Sequence, residues 1–274
     1  MTHNGYKINI CKYRNMGLCN QLYQLIAGIV TCINEKRNIL MVGHFLMQVH
    51  TNKYCHLRDV ISITNFNYYL KKYNLTIVDH NQEKYSDMQE LHFEIDGRII
   101  ELIHSDLGKS ILQNIRFEPK LVVPVISFVN QQLQNNINRN INIIHLRTES
   151  DAIQHWSKQN NMSPAVFTKK LNDKYIKLIH NHIQKETITF VLSGDTQNKV
   201  IEYLQKNNYK YTFLRKNKHL YREIRAIMDM IIGKLCNSVF IGAGGSTFTQ
   251  ILLETIPNDG TKKICLNLNK INNI

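Results

Sequence analysis

The sequence lacks most of the features that sort proteins quickly. Its six cysteines, Cys11, Cys19, Cys32, Cys55, Cys236 and Cys265, form no C-x-x-C pair and no ligand-like spacing with histidine, which argues against a zinc site. Several lie in apolar runs, where free buried thiols are common. No uninterrupted apolar stretch is long enough to span a bilayer, and Met1-Thr2-His3-Asn4-Gly5-Tyr6-Lys7 lacks the apolar core of a signal peptide. The expectation is a reduced, cytoplasmic protein without a transmembrane segment. Acids are also scarce, 21 against 34 Lys and Arg, for a formal net charge of +13. That balance fits an anionic partner such as nucleic acid, a phosphate-bearing metabolite or a membrane surface, and equally a lysine-rich solvated surface. The cations form no basic block, and zinc-finger, helix-turn-helix and aromatic-rich basic-strand signatures are missing. Specific nucleic-acid recognition is therefore not expected, only weak, salt-sensitive association.

What is present is a chain of 274 residues, 43% hydrophobic, long enough for one large or two small domains with their own cores. Its most informative stretch is Ile141-Asn142-Ile143-Ile144-His145-Leu146-Arg147-Thr148-Glu149-Ser150-Asp151, a buried strand running into a cation, an imidazole and carboxylates. Upstream, Lys7 to Cys11 reads as a strand and Asn15 to Gln21 as a Gly-bearing turn. Leu22, Leu25, Ile26, Ile29, Val30 and Ile33 then follow at helical spacing. Asn20 and Gln21 fall at the helix start, where backbone N–H groups favour an anion; Gly17 easing the turn and Asn20 capping the helix is the plainer alternative. Ile39 to Val42 reads as the next strand. Between Thr51 and Asn140 the pattern is weaker, with apolar patches at Val60 to Ile63, Leu75 to Val78 and Ile99 to Ile103 and a helix from Val122 to Leu133. The Asn-rich segment Gln134 to Asn140 is the best candidate linker.

Past the linker strands and helices alternate. Ser163-Pro164 opens a helix over Val166 to Ile183 whose face carries Leu171, Tyr175, Leu178 and Ile179. Ile188 to Leu192 is a strand ending in Ser193-Gly194-Asp195. A helix (Gln197 to Lys206), a strand (Tyr211 to Leu214), a helix (Arg222 to Cys236) and the strand Val239 to Ile241 follow. Such β-α-β repetition implies a parallel sheet covered on both faces. Three loops, His145 to Asp151, Ser193 to Asp195 and Gly242 to Thr249, then leave one sheet edge and converge. Gly242-Ala243-Gly244-Gly245-Ser246-Thr247 offers unobstructed N–H groups before a helix from Gln250, a setting for a diphosphate. It lacks a Walker lysine and comes late in the chain, so neither an ATPase loop nor a dinucleotide fingerprint is supported. Arg147 offers a planar fork for phosphate oxygens, and its competing role is a salt bridge to Glu149 or Asp151. For His145 the competing role is a satisfied core histidine. A diphosphate loop beside an arginine, without a metal cluster, suits departure of a nucleoside diphosphate, as in nucleotide-sugar glycosyl transfer.

His145-Leu146-Arg147-Thr148-Glu149-Ser150-Asp151 resembles the His-x-Arg-x-x-Ser-Asp motif of the GDP-fucose protein O-fucosyltransferases. Phe240-Ile241-Gly242 with Ser246-Thr247-Phe248-Thr249 resembles their late Phe-Ile-Gly…Ser-Ser-Phe-Thr motif. Gly17-Leu18-Cys19-Asn20-Gln21 is similar to the Gly-x-x-Asn-Gln turn shared with the α1,2-fucosyltransferases, and Asp229 stands where the family has a guanine-holding Asp. The chain departs from the pattern in having Cys19 where Gly is usual and Thr148 where the α1,2 enzymes repeat Arg. The resemblance implies an α/β, GT-B-like fold of two Rossmann-like domains with parallel sheets facing a cleft. Residues 1–138 would form the acceptor-side domain and 139–274 the nucleotide-sugar domain. It implies inverting, metal-independent transfer of L-fucose from GDP-fucose, as donor substrate and with no cofactor, to a glycan or protein hydroxyl. Arg147 would hold the β-phosphate and assist departure of GDP, and Asn20 would reach toward the reacting centre. His145, Asp151, Asp229, Gly17, Gly242, Gly244, Gly245, Ser246, Thr247 and Phe248 would line the donor site. Another nucleotide-sugar donor, or an inactive GDP- or glycan-binding module on the same fold, are the alternatives.

Overall fold

The computed structural model describes residues 4–8, 10, 17–43, 45–46, 54–79, 88–93, 97–134, 139–214 and 220–271. Most of the candidate linker (135–138), Asn15 and Met16 of the Gly-bearing turn, and the expected continuation of the first strand at positions 9 and 11 lie outside them. The chain divides into two compact units. Unit 1 comprises Met1–Pro124 and Lys216–Met228, and unit 2 comprises Val125–Arg215 and Asp229–Ile274.

Unit 1 begins with β1 (Gly5–Ile8), α1 (Leu18–Asn34) and β2 (Ile39–Val42), followed by a short antiparallel pair, β3 (Phe45–Leu46) and β4 (Tyr54–Cys55). Next come α2 (Ile63–Leu70), β5 (Thr76–Asp79), β6 (Gln89–Leu91), α3 (Gly97–His104), α4 (Asp106–Asn114) and the start of α5 (Pro119–Leu133). The sheet order is β5-β2-β1-β6, every pair parallel. The apolar spacing expected of the first helix is realised in α1, where Leu22, Leu25, Ile26, Ile29 and Val30 are all buried. The helix lies close to the strands because Gly28 has no side chain: a Cβ there would stand 3.3 Å from Ile8 and 3.4 Å from Leu40.

Unit 2 holds the rest of α5, then β7 (Ile141–His145), α6 (Ser150–Gln159), α7 (Pro164–His182), β8 (Ile188–Leu192), α8 (Lys199–Lys206) and β9 (Tyr211–Thr212). It continues with the end of α9 (Arg222–Gly233) from Asp229 onward, then β10 (Val239–Gly244), α10 (Thr247–Thr255) and β11 (Lys262–Asn267). The five strands are parallel in the order β11-β10-β7-β8-β9. Numbered within the unit, that is 5-4-1-2-3, a doubly wound sheet whose chain reverses direction between β7 and β10. Alternation along the strands splits the core. Ile144, Leu146, Val191, Ile241 and Ala243 join Phe167, Leu171, Tyr175 and Ile179 of α7 in one cluster. Ile143, Phe190 and Phe240 are aligned by register on the other face, where Phe128 meets Phe190 edge-on. Burying each such large side chain contributes roughly 1.5–3 kcal/mol.

Three local expectations are revised. Asp151 does not lie in the loop after β7: Ser150 and Asp151 form the first turn of α6, with Glu149 at the N-cap. Gly242, Ala243 and Gly244 belong to β10 and pair with Cys265, Leu266 and Asn267 of an unanticipated edge strand, so the glycine turn shrinks to Gly245 and Ser246. The last helix starts at Thr247, one turn before Gln250. In each case non-local pairing or a following amphipathic turn overrides the loop-forming propensity of Gly and Ser.

Candidate active site

The loops after β7 and β10 adjoin at the point where the sheet order reverses, and chains that leave neighbouring strands for opposite faces open a crevice there. The β7–β10 ladder ends at Ile144 opposite Ile241. Beyond it a side chain takes over. Thr249 Oγ1, on α10, accepts the Ala243 N–H at 3.2 Å and stands 2.6 Å from His145 Nδ1. Gly242 is what lets α10 come so close, since a Cβ would fall 2.7 Å from the Thr249 methyl and 2.8 Å from the Phe240 ring. His145 is 6% exposed, packs 4.8 Å centroid to centroid against Phe248, and its carbonyl accepts the Tyr175 hydroxyl at 2.8 Å. Tyr175 also accepts the Arg147 N–H at 3.4 Å. Burial pushes the Tyr175 phenol well above its usual range, so it remains a protonated donor that ties α7 to the strand end.

Arg147 reaches out of the strand end into two carboxylates. Nη1 donates to Glu149 at 2.8 Å and Nη2 to Asp151 at 3.0 Å. The partners differ in standing, because the Glu149 side chain is 29% exposed and that of Asp151 62%. Burial opposes the charge on Arg147, yet Glu149 first and Asp151 second outweigh it and hold the guanidinium pKa above its ordinary value. Glu149 also accepts the Gly194 N–H at 3.2 Å, joining the loop after β7 to the loop after β8. A second link runs from Thr148 Oγ1 to Asp195 at 3.5 Å. Asn198 caps α8 through Val200 and Ile201 (3.0 and 3.1 Å) while its amide donates toward Asp195 and Thr148. The three loops expected to share an edge are thus in contact.

In the loop after β10, Gly245 adopts φ +84° and lies against the Trp156 indole of α6. That left-handed conformation is the one glycine tolerates and other residues adopt at a cost. Ser246, 7% exposed, occupies the N-cap of α10 without a side-chain capping bond, and Thr247 and Phe248 form the helix's first turn. The Asp229 carboxyl is buried on α9. Among the described residues no group of three or more His, Cys, Asp and Glu gathers as metal ligands, and no helix is long and apolar enough to cross a membrane.

In unit 1, Gly17 is the N-cap of α1 and Asn20 its third residue, so Asn20 is not the cap. Its side-chain Oδ1 is buried with no hydrogen-bond partner among the described residues. The residues that sequence reasoning passed over are Tyr175, read as one more apolar-face residue, Trp156 on the unforeseen α6, and Asn198. Only Tyr175 carried a signal, a phenol among aliphatic neighbours on its helix face.

No protein-family model matches the chain, and no curated protein matches it by sequence. Among solved structures it is similar to POFUT1 in complex with GDP-fucose, at 10% identity and a TM-score of 0.64, over 97% of this chain and 99% of that one. It is also similar to NodZ alpha-1,6-fucosyltransferase co-crystallised with GDP, at 11% identity and a TM-score of 0.60, over 93% and 94% of the two chains. A further structure of fucosyltransferase NodZ, from Bradyrhizobium, gives 10% identity, a TM-score of 0.61 and coverage of 93% and 95%. At such identities the likeness establishes the fold, an α/β chain with two parallel sheets that matches the GT-B-like fold of these fucosyltransferases.

Proposed function

We propose that the protein is a glycosyltransferase that moves L-fucose from GDP-fucose to a glycan or protein hydroxyl, with inversion and without a bound metal. The observation that carries this reading is the position of Arg147, at the strand-order reversal of a fold shared with fucosyltransferases that were crystallised with GDP-fucose and GDP. There the guanidinium has five N–H donors, two of them engaged by carboxylates. The remaining donors suit the β-phosphate of a departing nucleoside diphosphate. Arg147 with both carboxylates sums to one negative charge, which opposes a diphosphate. The exposed Asp151 is therefore the partner that a phosphate oxygen replaces, while Glu149 keeps the guanidinium in place. Preorganised charge of this kind acts on the leaving group as its bond breaks, without reorganising solvent.

On this reading Ser246, Thr247 and Phe248, with the turn at Gly244 and Gly245, receive the diphosphate and sugar at the start of α10. Gly242 shapes that site by admitting the helix, and His145 and Asp151 shape the donor pocket. Asp229 is assigned to the guanine base. Asn20, with Gly17 before it, is assigned to the reaction through its unsatisfied side-chain oxygen. The test is incubation with GDP-fucose and panels of glycan and peptide acceptors, following both GDP release and fucose transfer, alongside thermal shifts with GDP, UDP and ADP. GDP alone should raise the melting temperature, since a ligand bound only by the native state stabilises it. A larger shift with UDP or ADP would reassign the donor. The double clamp on Arg147 favours one second reading, a GDP-binding module without catalysis. Stabilisation by GDP with no turnover on any acceptor would select it.

A further inference from the structure

The buried hydroxyl of Thr249 has two neighbours, and together they fix its proton. The Ala243 backbone N–H can only donate, so at 3.2 Å it occupies one lone pair of Oγ1. The other neighbour is His145 Nδ1 at 2.6 Å. Thr249 is fully buried, and among the described residues these two are the hydrogen bonds its oxygen makes. If Nδ1 carried a proton, the hydroxyl would accept two bonds and its own hydrogen would be buried without an acceptor, which costs about 1–3 kcal/mol. If Nδ1 is bare, the chain Ala243 N–H to Thr249 O–H to Nδ1 is satisfied at every step. The short separation fits a hydroxyl donating to an imidazole lone pair.

From this relay we infer that Thr249 is a positioning residue that holds His145 neutral, with its proton on Nε2. The consequence for chemistry is direct. The lone pair of the imidazole is spent on Thr249, so His145 is not the base that takes the acceptor hydroxyl's proton. It acts as a hydrogen-bond donor through Nε2–H, suited to an oxygen of the nucleotide-sugar donor. Because Thr249 lies two residues after Thr247 in α10, any movement of that helix start on ligand binding reaches the imidazole through the same bond. The role as a donor toward substrate rests on the transferase reading, whereas the tautomer does not.

The experiment therefore has two arms on the full chain. In the first, 15N NMR of the histidine rings, with His145 assigned by its loss in His145→Gln, should show an unprotonated Nδ1 and a protonated Nε2 in the wild type and in Thr249→Ser. Thr249→Val keeps the shape and removes the hydroxyl, and should give a mixture of tautomers. A protonated Nδ1 in the wild type would overturn the inference, as would a Thr249→Val spectrum identical to the wild type. If Thr249→Val does not fold, the wild-type and Thr249→Ser spectra alone decide. In the second arm, fucose transfer should fall roughly tenfold in Thr249→Val and recover in Thr249→Ser, the scale of one hydrogen bond. A wild type that transfers no sugar yet shows the expected tautomer would refute the transferase reading and leave the tautomer standing.

Discussion

At the scale of single residues the decisive feature is that Arg147 is already paired. A salt bridge to Glu149 or Asp151 and a grip on phosphate look like competing roles in the sequence, but the structure gives the guanidinium both carboxylates and, among the described residues, leaves N–H groups that bond neither. Removing it should cost about 3 kcal/mol of transition-state stabilisation, roughly a hundredfold or more in kcat. Arg147→Lys should not restore the rate, because an ammonium cannot bond Glu149 and a phosphate in one plane. Steady-state kinetics with GDP-fucose would check both, and an unchanged kcat in Arg147→Ala would remove Arg147 from the mechanism. The two acids should separate. Asp151→Asn relieves repulsion and should tighten GDP binding by calorimetry, whereas Glu149→Gln loosens the guanidinium and should weaken it. Equal effects would mean that the two carboxylates have the same role.

At the scale of elements the turn between β10 and α10 is the most constrained piece of chain. Gly245→Ala puts a Cβ on a residue at φ +84° beside Trp156, which should cost about 1–2 kcal/mol in urea unfolding. No loss would show that the turn changes conformation freely. Helix α8 makes a second test, because its cap Asn198 bonds two backbone N–H groups and also reaches the loops after β7 and β8. Asn198→Ala should lose about 1 kcal/mol of stability. Asn198→Asp keeps the cap oxygens, so its stability should be largely retained. It adds a negative charge beside Asp195, however, so GDP affinity should fall. The helix and strand spans of unit 2 were the legible part. Ser163 caps α7 as its sequence suggests, accepting the Val166 N–H at 3.3 Å, and β8 runs over Ile188 to Leu192 as its apolar residues suggest. Helix α6 and strand β11 were not legible, because one is mostly polar, with only Ala152, Ile153 and Trp156 to mark its apolar face, and the other is an edge strand with little apolar alternation.

At the scale of the whole molecule, each unit buries a thiol that must stay protonated. Cys32 donates to the Ile39 carbonyl in unit 1 and Cys236 to the Ile141 carbonyl in unit 2. Burial pushes the first up to about 12 and the second to about 11, from a usual 9.0. Between the unfolded and folded values the unfolded chain has released protons that the folded chain retains, so stability falls as pH rises. It should be fully present below about pH 9 and decline by up to about 1.4 kcal/mol per pH unit for each thiol above it. Urea midpoints from pH 8 to 11 would measure this, and Cys32→Ala with Cys236→Ala should flatten the slope; an unchanged slope would assign the loss to other groups. The sequence by itself determined the alternation of strands and helices, the amphipathic faces, and the placing of His145 and Arg147 at a strand end. Those rest on periodicity and capping, which act over a few residues. Tertiary structure decided which strands are neighbours, and hence that the loops after β7 and β10 meet at the reversal. It also decided that three of the expected loop residues are strand and that Thr249 touches an imidazole 104 residues away. Such contacts depend on long-range register, and no local pattern of residue types encodes which strand will lie beside which.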